Sequence, residues 1–204
     1  MDAASDLSTC FRYSYGVGTG VMGVPNDDSR WGNCYGNIRA TNHMFERAVS
    51  SYTGNLADIK KELAEGHFFR AYNYFYLLKF FGGVPVVTKV LDVTSPELYG
   101  KRNSRYEVVN LILSDLDEAI AGLPLEQNIT SADKGKISKQ AAQAFKARVL
   151  LYEATWRKYN GTSTDFEGSA GPASDQVNAF LEESVQLSET VMGDAAYSLW
   201  NYNN

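Results

Sequence analysis

The sequence is poor in the residues that do most covalent and metal chemistry. Its 204 residues hold only two cysteines, Cys10 and Cys34, and two histidines, His43 and His67. Neither cysteine sits in a C-x-x-C pattern, and two thiols with two scattered imidazoles do not make a zinc site. Cys10 and Cys34 are either a disulfide of an oxidising compartment or two separate small core residues. No P-loop, G-x-G-x-x-G, H-E-x-x-H or G-x-S-x-G pattern occurs, and no cofactor is expected. Positive charge is also short. The 19 Lys and Arg against 24 Asp and Glu give a net charge of −5. With no basic stripe to meet a phosphate backbone, nucleic acid is a poor partner. The apolar runs last only a few residues, too short to span a bilayer. Residues 1–5 have neither the basic start nor the apolar stretch of a secretion leader.

Aromatic side chains are abundant by contrast: 13 Tyr, 10 Phe and 3 Trp. In a helical protein that number serves both a core and a binding surface. The length suffices for one sizeable domain with its own core.

Periodicity divides the chain into an irregular start and about five helices. Residues 1–32 carry Gly16, Gly18, Gly20 and Gly23 and end in the turn-forming run Pro25-Asn26-Asp27-Asp28-Ser29. Tyr35, Ile38, Asn42, Phe45 and Val49 then give one face of a helix over 31–52. A long helix over 56–82 has two apolar lines. The first is Ile59, Leu63, Phe68, Ala71, Phe75 and Leu78; the second is Phe69, Tyr72, Tyr76, Lys79 and Phe80. Apolar residues on two sides predict burial on both. Gly82-Gly83 is a left-handed stop, and Pro85 makes 84–87 extended. Ser104 and Glu107 form a capping box for a helix over 104–123, with Val108, Val109, Ile112, Leu116, Ala119, Ile120 and Leu123 as its stripe. After a polar connector comes a helix over 138–159, with Ala141, Ala144, Phe145, Arg148, Leu151 and Tyr152 along it. The last helix, 174–192, turns Val177, Phe180, Leu181, Val185 and Met192 inward. The last four helices form two consecutive antiparallel pairs, similar to tetratricopeptide-like hairpins, although the strict repeat consensus is absent and a plain bundle stays open. The fold class is all-α. The tail with Tyr197, Trp200 and Tyr202 has no closing element, which leads us to expect a longer parent.

Three ordered blocks carry a resemblance. The first is Glu65-Gly66-His67-Phe68-Phe69-Arg70-Ala71-Tyr72-Asn73-Tyr74-Phe75-Tyr76 on to Gly82-Gly83-Val84-Pro85-Val86-Val87. The second runs from Arg102-Asn103-Ser104 through Asp115-Leu116-Asp117-Glu118-Ala119-Ile120 to Leu123-Pro124. The third runs from Gly135-Lys136-Ile137-Ser138 to Arg148-Val149-Leu150-Leu151-Tyr152. Together with Trp31, Tyr35, Ile38, Ala40 and Asn42 ahead of them, they resemble the SusD/RagB family over about residues 31–200. The resemblance implies tetratricopeptide-like helical hairpins (an α-α superhelix) carrying a ligand region, in a single N-terminal domain over 1–204 with the C-terminal half of the family missing. It implies a non-catalytic, lipid-anchored protein on the outer membrane surface of Bacteroidota-type bacteria. Its partner would be a SusC-like TonB-dependent transporter, and its ligand an oligosaccharide or, in some members, a peptide. Cys10 has no leader before it and is not read as the lipidated residue.

Sugar recognition needs flat aromatic faces together with Asn, Asp and Arg for hydroxyls. By the resemblance, Trp31 is a stacking platform, and Asp28, Arg30 and Asn33 are hydroxyl partners. On the residues alone, Trp31 capping a core and a solvated charged loop are the competing reading. Arg70 and Arg148, in apolar stretches, are read as buried arginines paired with a carboxylate such as Glu46, Glu62 or Asp115. Asp115, Asp117 and Glu118 have the residue types of a glycosidase pair, but Asp117 and Glu118 point away from the apolar stripe, as a solvated acidic face does. His43 and His67 are isolated from other ligands. Of Tyr72, Tyr74 and Tyr76, at least one should be exposed. A helical-repeat scaffold for a peptide or protein partner is the alternative function.

Overall fold

A computed structural model describes residues 28–162, 172 and 174–198. Two compact units divide the chain, Met1–Gly32 and Asn33–Asn204. The irregular start expected over 1–32 lies mostly outside the described residues, as do Cys10, Trp200 and Tyr202. Five α-helices occur among the described residues: α1 Ser29–Ser50, α2 Lys60–Phe81, α3 Arg105–Gly122, α4 Lys139–Asn160 and α5 Val177–Met192. No strand is present among them. No described helix is long and apolar enough to cross a membrane.

The expected hairpins form. α2 packs on α3, α4 packs on α5, and α3 joins the two pairs by packing on α4. The first hairpin closes tightly: a Cβ at Gly122 would lie 2.6 Å from that of Ala64, so only glycine lets these helices approach this far. α3 follows its pattern throughout. Val108, Val109, Ile112, Leu116 and Ala119 are fully buried. The Ser104 hydroxyl accepts from the Glu107 amide, and the Glu107 carboxylate accepts from the Ser104 amide, completing the capping box.

Elsewhere the faces differ from expectation. The first line of α2 is core, with Phe68, Ala71, Phe75 and Leu78 buried, but in the second line Phe69, Tyr72 and Phe80 are 47%, 47% and 48% exposed. α4 is turned the other way from its expected stripe. Ala142, Val149, Leu150 and Ala154 face the core, whereas Ala144, Arg148 and Leu151 are exposed. The cause is that Gln140, Lys146, Glu153 and Arg157 are buried on the inner face, where paired polar groups mask the apolar period. On α5, Phe180 and Ser184 are buried while Val185 and Met192 are exposed; the Ser184 hydroxyl donates to the Ala147 carbonyl at 2.8 Å. On α1, Val49 is exposed and Ala48 buried. α5 begins at Val177, behind Gln176 at φ 58°, rather than at 174.

Gly82 stops α2 with a positive φ of 69°, although its ψ of −129° is not left-handed helical. The segment after it has no regular structure and is held by side chains. The Tyr74 hydroxyl donates to the Val87 carbonyl and accepts from the Val87 amide. Tyr35 donates to the Pro85 carbonyl, Asn42 to the Val87 carbonyl, and Asn103 accepts from the Val86 amide. Burial, only partly offset by its hydrogen bond to Val87, pushes the Tyr74 phenol up to about 12, so it stays a neutral donor and acceptor.

Candidate functional site

The sequence singles out the N-terminal end of α1. Asp28 immediately precedes the helix, and its backbone carbonyl accepts from the Trp31 amide at 3.0 Å. Its carboxylate takes four hydrogen bonds from Arg30. The Arg30 amide donates to Oδ1 at 2.9 Å, Nε to Oδ1 at 2.9 Å and Oδ2 at 3.1 Å, and Nη2 to Oδ2 at 2.6 Å. Those side-chain and backbone bonds hold the Asp28 carboxyl below its ordinary range, keeping it ionised. The side chains of Arg30 and Asp28 remain 44% and 17% accessible. Trp31 is half-buried, between the two readings of platform and core cap. Asp28, Arg30 and Trp31 belong to the first compact unit. Asn33 begins the second and is exposed on α1. The charged Asp28–Arg30 fork offers donors and acceptors, and Trp31, next in the sequence, an aromatic ring, the residue types that a hydroxylated ligand needs.

The remaining chemistry candidates are structural. Arg70 is buried and clasps Asp115 through Nε to Oδ2 and Nη2 to Oδ1, both at 2.7 Å, while Nη1 donates to Asn42 at 2.9 Å. Of the three carboxylates considered, Glu46 and Glu62 are exposed and Asp115 is the partner. His67 is not isolated: its Nδ1 lies 2.7 Å from Asp115 Oδ1, and its ring stacks on Phe45 at 4.5 Å. Burial pushes the Asp115 carboxyl up, but the hydrogen bonds and charge of Arg70 and His67 outweigh it, and its pKa lies below the ordinary 3.8. Arg148, expected to be buried, is exposed on the outer side of α4. His43 is exposed. Asp117 and Glu118 are exposed as expected, and Asp117 accepts from the buried Lys146 at 2.6 Å, which also meets Glu183. Burial would lower the Lys146 pKa; the two carboxylates reverse that and raise it. Tyr72 is exposed and Tyr74 fully buried, as alternate positions on a helix demand. Cys34 is a buried free thiol. Among the described residues no group of three potential ligands could hold a metal ion.

Sequence reasoning missed a second buried cluster. Glu153 accepts from Arg105 Nε and Nη2 at 2.9 and 2.8 Å, and from Arg157 Nε at 2.9 Å. Arg157 also donates to the Asp175 carbonyl and to Gln176. The guanidinium of Arg105 lies 4.2 Å from the Trp156 ring centroid, and that of Arg157 4.7 Å from Phe180. The i, i+4 spacing of Glu153 and Arg157 was the available signal.

The fold has known counterparts. The SusD-like family model, described as "Starch-binding associating with outer membrane", matches residues 24–151. "SusD-like protein P38" of Formosa agariphila is 34% identical over 108 residues, 52% of this chain and 20% of that protein. A crystal structure of a SusD-like protein from Bacteroides fragilis superposes with a TM-score of 0.63 at 28% identity, covering 86% of this chain and 28% of that one. A structure titled "Laminarin binding SusD-like protein" superposes with a TM-score of 0.59 at 25% identity, covering 74% and 33%. The chain thus spans a fifth to a third of the length of these relatives.

Proposed function

The chain belongs to the SusD-like family, and from that premise we propose that it is part of a surface protein that binds oligosaccharide without cleaving it. The carrying observation is the Asp28–Arg30 fork, followed in the sequence by the half-buried Trp31. In this reading Trp31 offers its indole face to the C–H side of a pyranose. Asp28 accepts from vicinal hydroxyls with its remaining lone pairs, and Arg30 donates. Asn33, exposed at the start of the second unit, is a separate candidate for a hydroxyl contact. The fork is already ordered, so little side-chain freedom is lost on binding. The laminarin-binding relative supports a polysaccharide as the ligand class.

A non-catalytic role fits the carboxylates. A glycosidase needs one carboxyl with a raised pKa as its acid. Asp115 is shifted the opposite way by Arg70 and His67, and Asp117 is bound to Lys146. The family description supports placement at the outer membrane. By the resemblance, the anchor is a lipid outside this sequence and the partner a SusC-like TonB-dependent transporter that receives the captured oligosaccharide.

The test is a glycan array probed with wild type and Trp31→Ala side by side. Binding to one polysaccharide class, weakened by the substitution, is expected. Undiminished binding would move the ligand site away from α1. No glycan binding by the wild type would overturn the reading in favour of a scaffold for peptide or protein partners.

A further inference from the structure

A small cavity opens between the start of α2 and the connector that joins α3 to α4. The connector is held in shape at its ends: the Lys139 amide donates to the Pro124 carbonyl at 2.8 Å, and the Glu126 amide donates to the buried Gln140 at 2.9 Å. The cavity measures about 170 Å³, well below the roughly 300 Å³ at which drug-sized pockets begin, so only a ligand of few atoms fits. Its charged lining is Lys61 and Glu65 of α2 with Asp133 and Lys136 of the connector, and Pro124, Ile129 and Ile137 supply apolar surface.

The charges are unevenly matched. Lys61 and Glu65 stand one turn apart on α2, the spacing of a helical ion pair, but Lys61 donates instead to Asp133 Oδ2 at 3.0 Å. Lys136 reaches Oδ1 of the same carboxylate at 2.6 Å. The hydrogen bonds from Lys136 and Lys61 hold the Asp133 carboxyl down at about 2. One carboxylate therefore serves two ammonium groups, each with two further N–H donors. Glu65 has its Oε1 buried with no hydrogen-bond donor. Its charge, with that of the exposed Glu62, acts on Lys136 only after the closer Asp133. A carboxylate so poorly solvated is favoured by any donor that enters the cavity.

The signs of these groups select the ligand. An anion would meet the two ammonium groups but also Glu65. A cation would meet Glu65 but also the lysines. A pyranose would find no aromatic ring among the lining residues. A small molecule that carries both charges matches every group. We propose that this cavity binds a zwitterionic α-amino acid with a compact aliphatic side chain. Its carboxylate accepts from Lys61 and Lys136, its ammonium donates to Glu65, and its side chain lies against Pro124, Ile129 and Ile137. The site is separate from the one at α1 and rests on no part of that reading.

NMR titration of the 204-residue chain tests this, with L-valine as the probe. The backbone amides of Asn128 and Thr130, which also line the cavity, should shift and saturate. Isobutylamine and isobutyrate, which each carry one of valine's two charges, should bind more weakly by about tenfold or more, the loss expected when a charged hydrogen-bonding group goes unmatched. Glu65→Gln and Lys136→Met should each weaken valine to the same degree. The Lys136 side chain is 48% accessible, so its replacement leaves the fold intact and keeps the test sound if Glu65→Gln does not fold. Isobutyrate binding as tightly as valine would make this an anion site and overturn the proposal. D-glucose saturating the same amides in place of valine would make it a sugar site and overturn it too. No saturable shift with any probe would mean that water alone meets Glu65, and the proposal would fall.

Discussion

The same arginine–carboxylate fork occurs at two places with opposite surroundings. Arg30 holds Asp28 through Nε and Nη2 at the surface, with side chains 44% and 17% accessible. Arg70 holds Asp115 through the same two nitrogens in the core, at 8% and 3%. Exposed pairs contribute little to stability because water competes for both charges. A buried pair is different. Its formation is close to neutral against an apolar replacement, but removing one partner strands a charge in a medium that cannot solvate it. One geometry therefore occurs in two settings: the core fork fixes how α2 meets α3, and the surface fork is the one proposed above to meet a ligand. Glu153 extends the core case, since one carboxylate answers two guanidiniums and aromatic rings share the excess positive charge.

That comparison orders the expected effects. Glu153→Gln should do the most damage, because it removes the one buried carboxylate to which both Arg105 and Arg157 donate. A loss of about 3–5 kcal/mol is expected, a fall of about 10 °C in melting midpoint for a chain of this size, read by thermal denaturation. A shift of under 2 °C would mean that the rings and Gln176 suffice without the carboxylate.

Asp115→Asn should cost about 3 kcal/mol, read as a lowered urea midpoint with unchanged slope, because one guanidinium, that of Arg70, loses its counter-charge and His67 loses the carboxylate beside it. Its pH behaviour is the sharper probe. The folded-state pKa is depressed below the ordinary 3.8 by Arg70 and His67. The stabilisation is therefore present above the unfolded value and lost as pH falls through the folded one. Wild type should lose stability on acidification below about pH 4, and Asp115→Asn should lose correspondingly less over the same range. Parallel curves would show that this carboxylate does not carry the acid sensitivity.

These clusters also mark where the sequence was readable. α3 was legible because its apolar stripe is unbroken and Ser104 with Glu107 fixes its start; even Asp115 sits beside Leu116 at the edge of that stripe. α4 was read inside out. Lys146 and Glu153 are buried by pairing across helices, and Arg157 by pairing with Glu153 one turn away; a pattern that counts every charge as outward misses a charge neutralised by a partner. The partner of Arg70 was unreadable for the same reason: 45 residues separate it from Asp115, and only the hairpin brings them together. At the candidate site, the residue types were legible. The fork was not, because two side chains two residues apart can meet or diverge with the local backbone.

The surface fork should give the smallest stability effect and the clearest functional one. Arg30→Gln keeps the length and a donor but removes the charge and the bidentate geometry. Its melting midpoint should match wild type within error, because water replaces what Arg30 supplied to Asp28. Its oligosaccharide affinity, measured by isothermal titration on a glycan that the array identifies, should fall several-fold, since Asp28 would lose the clasp that orients it. Trp31→Ala should fall further, by about tenfold or more, as truncated aromatic anchors do. If Arg30→Gln lowered the melting midpoint as Asp115→Asn does, the fork would be a structural pair like the one in the core. The functional reading of α1 would then rest on Trp31 alone.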